Sequence, residues 1–266
     1  MTLRVPGWSY TFTHAIVRAP SGAVVDGLRA VDTGAPDLPA FMRDHAAYVA
    51  ALHATGAQVT ELAPLEAFAD AVFVEDTALC LPEGAIAMRP GAPSRAGEVA
   101  HMIPALQGLY TDVRVLPSGF IEGGDILVTE REILVGTSAR TDAAGVDALT
   151  RSVRDWGYQV RTVVTPPDVL HFKTDCGLLD GETVLATERL ARSECFAGYR
   201  VIHTAPGEEA SANAVRFNDC VLFPRGFPRT ADRLADAGFN VVEIGNAEAA
   251  KVDGGMSCLS LRFSPR

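Results

Sequence analysis

The chain has 266 residues, 48% hydrophobic and 21% charged, a globular composition that excludes disorder and collagen-like repeats. No apolar run approaches the roughly 18 residues needed to cross a bilayer, and the opening MTLRVPGWSY has no leader-type apolar stretch. The expectation is therefore a cytoplasmic protein, read as one domain over residues 1–266. Twenty-three basic against thirty-three acidic side chains leave a net charge of −10. That balance argues against nucleic acid or a membrane as partner and favours small cations.

In chain order, Thr11–Val17 reads as the first strand. Leu38, Phe41, Val49 and Leu52 then form a helical stripe behind Asp37 as N-cap, ended by Gly56 before Val59. Val72-Phe-Val74 reads as a strand turning at Pro82-Glu-Gly84 into Ala85-Ile-Ala-Met88, and Gly108 precedes Val113. Ile126-Leu-Val128 turns at Glu130-Arg-Glu132 into Ile133-Leu-Val135. A helix follows on Val146, Leu149, Val153 and Trp156, capped by Asp142 and ended by Gly157. Leu178-Leu179 turns at Asp180-Gly181 into Val184-Leu-Ala186, and Gly198 and Gly238 each lead into a further strand. Glycine takes the left-handed conformation after a helix without a Cβ penalty, so the chain can reverse into a strand. These glycines recur every 40–52 residues. Five strand–strand–helix–strand units of about 53 residues would close a ring, with the N-terminal strand completing the last unit. An ordinary mixed α/β sheet also fits the periodicity taken alone.

The polar clusters sit where strands of this unit begin or end. Glu75-Asp76 follows Val72-Phe-Val74, and on a strand the two acids would face opposite sides. Glu122-Gly-Gly-Asp125 sets a double glycine between acids, which permits close backbone approach or positive φ. His171-Phe-Lys173 follows the stiff Thr165-Pro-Pro167, and histidine is the side chain best suited to proton transfer near neutral pH. Cys258 follows the turn Val252-Asp-Gly-Gly-Met-Ser, where backbone amides can face the sulfur. Arg89-Pro-Gly-Ala-Pro-Ser-Arg95, with Ser94 as a candidate cap, and Ser138-Ala-Arg140 occupy matching loops. Two guanidinium forks there suit a carboxylate. The other cysteines, Cys80, Cys176, Cys195 and Cys220, lack CxxC spacing, against both a disulfide framework and a zinc knuckle.

Taken together, Phe73-Val-Glu-Asp76, Arg89-Pro-Gly-Ala-Pro-Ser-Arg95, Glu122-Gly-Gly-Asp125, Leu170-His-Phe-Lys173 and Lys251-Val-Asp-Gly-Gly-Met-Ser-Cys258 resemble the dimethylarginine dimethylaminohydrolases, in the wider guanidine-modifying amidinotransferase superfamily. Phe172, where leucine is usual, and Met256 depart from the pattern. The resemblance implies a five-bladed α/β propeller of pseudo-fivefold ββαβ units around a central channel. It implies hydrolysis of Nω-methylated arginine to citrulline through a thiouronium on Cys258. His171 would act as acid and then base, oriented by Glu122. Asp76, supported by Glu75, would hold the guanidinium, and Arg95 and Arg140 the α-carboxylate. Asp70 with the carbonyls of Leu28 and Val252 would take the α-ammonium. No cofactor or metal is implied, zinc being expected only as an inhibitor, and a homodimer is compatible with the motifs. The rival reading is an arginine deiminase-like enzyme releasing ammonia from arginine, although such enzymes are usually much longer.

Overall fold

The structure, a computed structural model, describes residues 4–266; residues 1–3, the start of the segment read for a leader, lie outside it. Its strands form five three-stranded sheets. The first contains β1 (His14–Arg18), followed in sequence by α1 (Leu38–Ala54) and by β2 (Gln58–Leu62), parallel to β1. The second has β3 (Ala78–Leu81), β4 (Gly84–Ala87), α2 (Ile103–Gln107) and β5 (Val113–Val115). The third has β6 (Ile126–Val128), β7 (Ile133–Thr137), α3 (Ala143–Val153) and β8 (Val160–Val164). The fourth has β9 (Cys176–Leu178), β10 (Thr183–Ala186), α4 (Glu188–Ala191) and β11 (Arg200–His203). The fifth has β12 (Val215–Phe217), β13 (Cys220–Pro224), α5 (Pro228–Asp236) and β14 (Asn240–Ile244). After α6 (Ala247–Ala250), the C-terminal β15 (Leu261–Phe263) pairs antiparallel with β1 and closes the ring. Four sheets thus have an antiparallel inner hairpin, the first has the antiparallel β15–β1 pair in its place, and every sheet has a parallel outer strand reached through a helix, the expected ββαβ propeller blade.

Local chemistry accounts for the helices. The Asp37 carboxylate accepts from Ala40 N–H at 2.7 Å and the Asp142 carboxylate from Gly145 N–H at 2.7 Å, each satisfying an amide left orphaned by the first turn. Phe41, Val49 and Leu52 of α1, and Val146, Leu149 and Val153 of α3, bury the predicted stripes. Gly56, Gly157, Gly198 and Gly238 have φ between 81° and 92°. Gly108 departs from the expectation, staying right-handed at φ −73°. There the helical bonding continues, with Tyr110 N–H donating to Leu106 C=O at 2.9 Å, so the reversal is spread over several residues.

Three further expectations are corrected. The first strand starts three residues later than Thr11 and is the middle strand of its sheet, sharing that blade with the C-terminus. Val72-Phe-Val74 is not a strand: the inner strand begins at Ala78, after a 3₁₀ turn over Val74–Thr77. Ser94 caps nothing, because Pro93–Arg95 is itself a 3₁₀ turn whose N-cap position is Ala92.

That first turn belongs to a series. A 3₁₀ turn precedes the inner strand of every blade: Val74–Thr77, Gly123–Asp125, Phe172–Thr174, Glu209–Ala212 and Ser257–Leu259. They touch one another around the axis, so pseudo-fivefold repetition gathers five equivalent turns at one end of the channel. The inner strands line a cleft of about 910 Å³ behind them. No helix is long and apolar enough to cross a membrane among the described residues.

Candidate active site

The ring of turns floors a cavity of about 370 Å³, lined among others by Leu28, Asp70, Asp76, Arg95, Glu122, Arg140, His171, Val252 and Cys258. Nine of the ten residues singled out in the sequence therefore converge, although they are spread from position 28 to 258.

Glu75 is the exception. Because Glu75 and Asp76 lie on a 3₁₀ turn rather than a strand, both are buried, at 3% and 2% exposure. Asp76 lines the cavity, while Glu75 points to the rear cleft. Its Oε1 accepts from Lys173 Nζ at 2.5 Å and Arg262 Nη2 at 2.6 Å, and its Oε2 from the Ser257 hydroxyl at 2.7 Å. Glu75 thus ties the Ser257–Leu259 turn to the buried Lys173 and the half-buried Arg262 and does not line the cavity. Arg262, at a partly polar position of the last strand, gave no sign of this role in the sequence.

The double glycine is a close-approach device, with no positive φ at either residue. A Cβ on Gly124 would lie 2.6 Å from His171 Nδ1 and 3.0 Å from Asp76 Oδ1, and one on Gly123 would lie 2.0 Å from Glu75 C=O. Only glycine lets the backbone pass between these side chains. The bare amide is used, as Gly124 N–H donates to Asp76 Oδ1 at 2.8 Å. Asp125, flagged with its motif but given no role, links two turns. Its Oδ1 accepts from Phe172 N–H at 2.8 Å, and its Oδ2 from the Ser138 and Thr141 hydroxyls, each at 2.6 Å.

His171 Nε2 donates to Glu122 Oε2 at 2.6 Å, with both groups buried. Burial works against the imidazolium, but Asp76, Glu122 and Asp125 outweigh it and raise the His171 pKa to about 9. For Glu122, burial is likewise overcome, chiefly by the bond and charge of His171, and its carboxyl is held well below its ordinary range. The pair is a buried imidazolium–carboxylate at neutral pH.

Cys258 sits in the turn Ser257–Leu259, and Gly255 N–H donates to its Sγ at 3.4 Å. Ser257 N–H donates to Asn213 Oδ1 at 2.8 Å, which anchors this turn to the neighbouring blade. Burial first, then Glu75 and Asp76, push the thiol up to about 12, against the opposing pull of the Gly255 amide and Lys173. In the empty cavity the sulfur is a thiol. All five cysteines are free.

The two arginines are not equivalent. Arg95 is buried and already engaged: it donates to Asp76, to Glu98 at 2.8 Å and to Phe73 C=O at 2.7 Å. Glu98, three residues on, was legible as an i,i+3 partner and was missed. Arg140 is half-buried, and its nearest acid, Glu122, is 3.6 Å away, so its fork is open to the cavity. Asp70 Oδ1 accepts from Leu28 N–H at 2.9 Å, and burial raises its pKa. Asp253, also missed, lines the cavity beside Val252.

Asp76, Glu122 and His171 place donor atoms within 4.8 Å of one another, close enough to share a metal ion. These donors are already paired, to Gly124 and Arg95 and to each other.

A family model for "Arginine deiminase" matches residues 72–222. The N(G),N(G)-dimethylarginine dimethylaminohydrolase of Pseudomonas aeruginosa is 37% identical over 254 residues, covering 95% of this chain and all of that one. A solved Pseudomonas aeruginosa structure, a cysteine-to-serine mutant complexed with citrulline, superposes with a TM-score of 0.93. It is 36% identical and covers 96% of this chain and all of that one. A dimethylarginine dimethylaminohydrolase with histidine replaced by glycine, an adduct with S-methyl-L-thiocitrulline, gives a TM-score of 0.91. It is also 36% identical, covering 95% of this chain and all of that one.

Proposed function

This chain belongs to the dimethylarginine dimethylaminohydrolase family, and we propose that it hydrolyses Nω-methylated L-arginines to L-citrulline, releasing dimethylamine or methylamine. The observation that carries the reading is the convergence of Cys258, His171, Glu122, Asp76 and Arg140 on one cavity.

The substrate carries a guanidinium, an α-ammonium and an α-carboxylate. Arg140, with what remains of the Arg95 fork, takes the carboxylate; Asp70 and the carbonyls of Leu28 and Val252 take the ammonium. Asp76 receives the guanidinium nitrogens and fixes the central carbon over Cys258. The arriving cation offsets the Glu75 and Asp76 charges that hold the thiol protonated, and so favours loss of the thiol proton to solvent, which leaves the thiolate. Sulfur attacks the guanidinium carbon, forming a C–S bond and a tetrahedral centre. The C–N bond to the methylated nitrogen then breaks as His171 gives that nitrogen its proton. This leaves an S-alkylthiouronium and a neutral imidazole. That imidazole takes a proton from water, whose oxygen adds to the same carbon; the C–S bond breaks, yielding citrulline and returning the sulfur. Splitting one displacement into two is ordinary covalent catalysis, and proton transfer of this kind contributes about 10²–10⁴ in rate.

The test is citrulline formation from dimethylarginine, monomethylarginine and arginine, with Cys258→Ser alongside. Turnover of the methylated substrates, lost in Cys258→Ser, is expected. Ammonia released from arginine in preference to the methylated forms would instead support the deiminase reading, and no citrulline from any substrate would defeat both.

A further inference from the structure

The segment 25–34 that passes beside the cavity has no regular structure after its 3₁₀ turn, yet it is internally braced. Arg29 donates to the carbonyls of Gly27, at 3.3 Å, of Gly34, at 3.1 Å, and of Val25. One guanidinium therefore gathers its own loop into a unit. Val31 at the outer side is 69% exposed, so burial contributes little to holding that unit in place. Two carboxylates connect it to the rest of the molecule near the cavity: Asp70 on Leu28 N–H, and Asp253 Oδ2 on Ala30 N–H at 2.6 Å.

Asp253 is unusual in its own backbone. It is one of three non-glycine residues with positive φ among the described residues, at 56°, between Val252 and the Gly254-Gly255 pair. Aspartate tolerates this region better than most residues, but the conformation is still unfavourable and persists only where the surroundings enforce it. Its effect is to turn the carboxylate across to residue 30 from a position next to Val252.

We propose that Asp253 is a positioning residue: its carboxylate latches the Arg29-braced loop to the nucleophile's segment and so sets the gap between the Leu28 and Val252 carbonyls that receive the substrate's α-ammonium. This rests on the hydrolase reading for the identity of the ammonium. The latch has a specific reason to exist. Asp70 serves both as the second tie to the loop, through Oδ1, and as the ammonium's carboxylate, so an arriving ammonium draws on the same group. Asp253 bonds the loop through a different amide, Ala30 N–H, and holds it when Asp70 turns to the ligand. The latch acts on binding: Asp253 bonds the loop and makes no hydrogen bond to Cys258 or His171.

The test compares Asp253→Gly, which relieves the positive φ and deletes the side chain, with Asp253→Asn, which keeps an acceptor oxygen but removes the charge. Losing this bond altogether in Asp253→Gly should raise KM for the methylated arginine about tenfold, the upper end for one intramolecular hydrogen bond, with kcat changed less than about threefold. Asp253→Asn should stay within about threefold of wild type in KM. Amide hydrogen exchange, followed without substrate, should show Ala30 and its neighbours exchanging about tenfold faster in Asp253→Gly and near wild type in Asp253→Asn. Unchanged KM or unchanged exchange in Asp253→Gly overturns the latch, and so does an Asn variant as impaired as the Gly variant, which would make charge the operative quantity. The exchange arm reads the latch even if no substrate is turned over, so failure of the hydrolase reading is separable from failure of this one.

Discussion

Replacing Glu122 by glutamine keeps the size of the side chain and removes the charge that faces His171. In the wild type the imidazole is raised from 6.5 to about 9 although burial opposes it. At 1.36 kcal/mol per pH unit, that is about 3 kcal/mol in favour of the imidazolium. The acids responsible are Asp76, Glu122 and Asp125, and Glu122 is the one in direct contact, at 2.6 Å. Loss of its charge should remove roughly a third to a half of the effect, moving the His171 titration down by about one pH unit. The sign for stability follows: a raised histidine pKa contributes fully below the unfolded value near 6.5, and the contribution fades as pH rises through about 9. Glu122→Gln should therefore lose stability below pH 6.5 and converge on wild type above pH 9. The departing amine would meet a less populated and less well oriented acid, so kcat should fall about 10²-fold or more, with the alkaline limb of its pH profile displaced to lower pH. Resonances of the His171 ring followed from pH 5 to 10, together with the kcat profile, make the measurement. A His171 titration that is the same in Glu122→Gln and wild type would refute this electrostatic account of the pair.

Two other expectations concern the same cavity. With the Cys258 thiol pushed up to about 12, alkylation by iodoacetamide in the empty enzyme should be slow at pH 7 and still rising at pH 9. A small amidinium in the cavity should accelerate it at fixed pH, as read by mass spectrometry of the modified peptide. Gly124→Ala places a methyl 2.6 Å from His171 Nδ1, so kcat should drop by about two orders of magnitude or more, and thermal unfolding will show whether the turn has also been destabilised.

The site was legible in part because repetition put its residues at equivalent places in each unit. Cys258, His171, Glu122 and Asp76 follow local motifs, and those motifs coincide with four of the five turns before the inner strands; the fifth, Glu209–Ala212, carried none. The direction of each side chain was less legible. Reading Glu75 and Asp76 as strand residues predicted opposite faces by alternation; the 3₁₀ turn instead sends one acid to the cavity and its neighbour to Lys173 and Arg262 behind it. Arg95 matched its motif and reached the cavity, but Asp76 and Glu98 occupy most of its fork. Asp253 stood inside a quoted motif, and nothing local pointed to Ala30, 223 positions earlier.

What the amino-acid order alone determined is what short-range physics decides: where helices start, at Asp37 and Asp142, where they reverse, at Gly56, Gly157, Gly198 and Gly238, and how often the unit recurs. Tertiary structure decided which buried charges meet. Pairing of the last strand with the first closes the ring and brings Arg262 against Glu75. A buried charge takes whichever opposite charge the closed ring presents, and no periodicity along the chain records that choice.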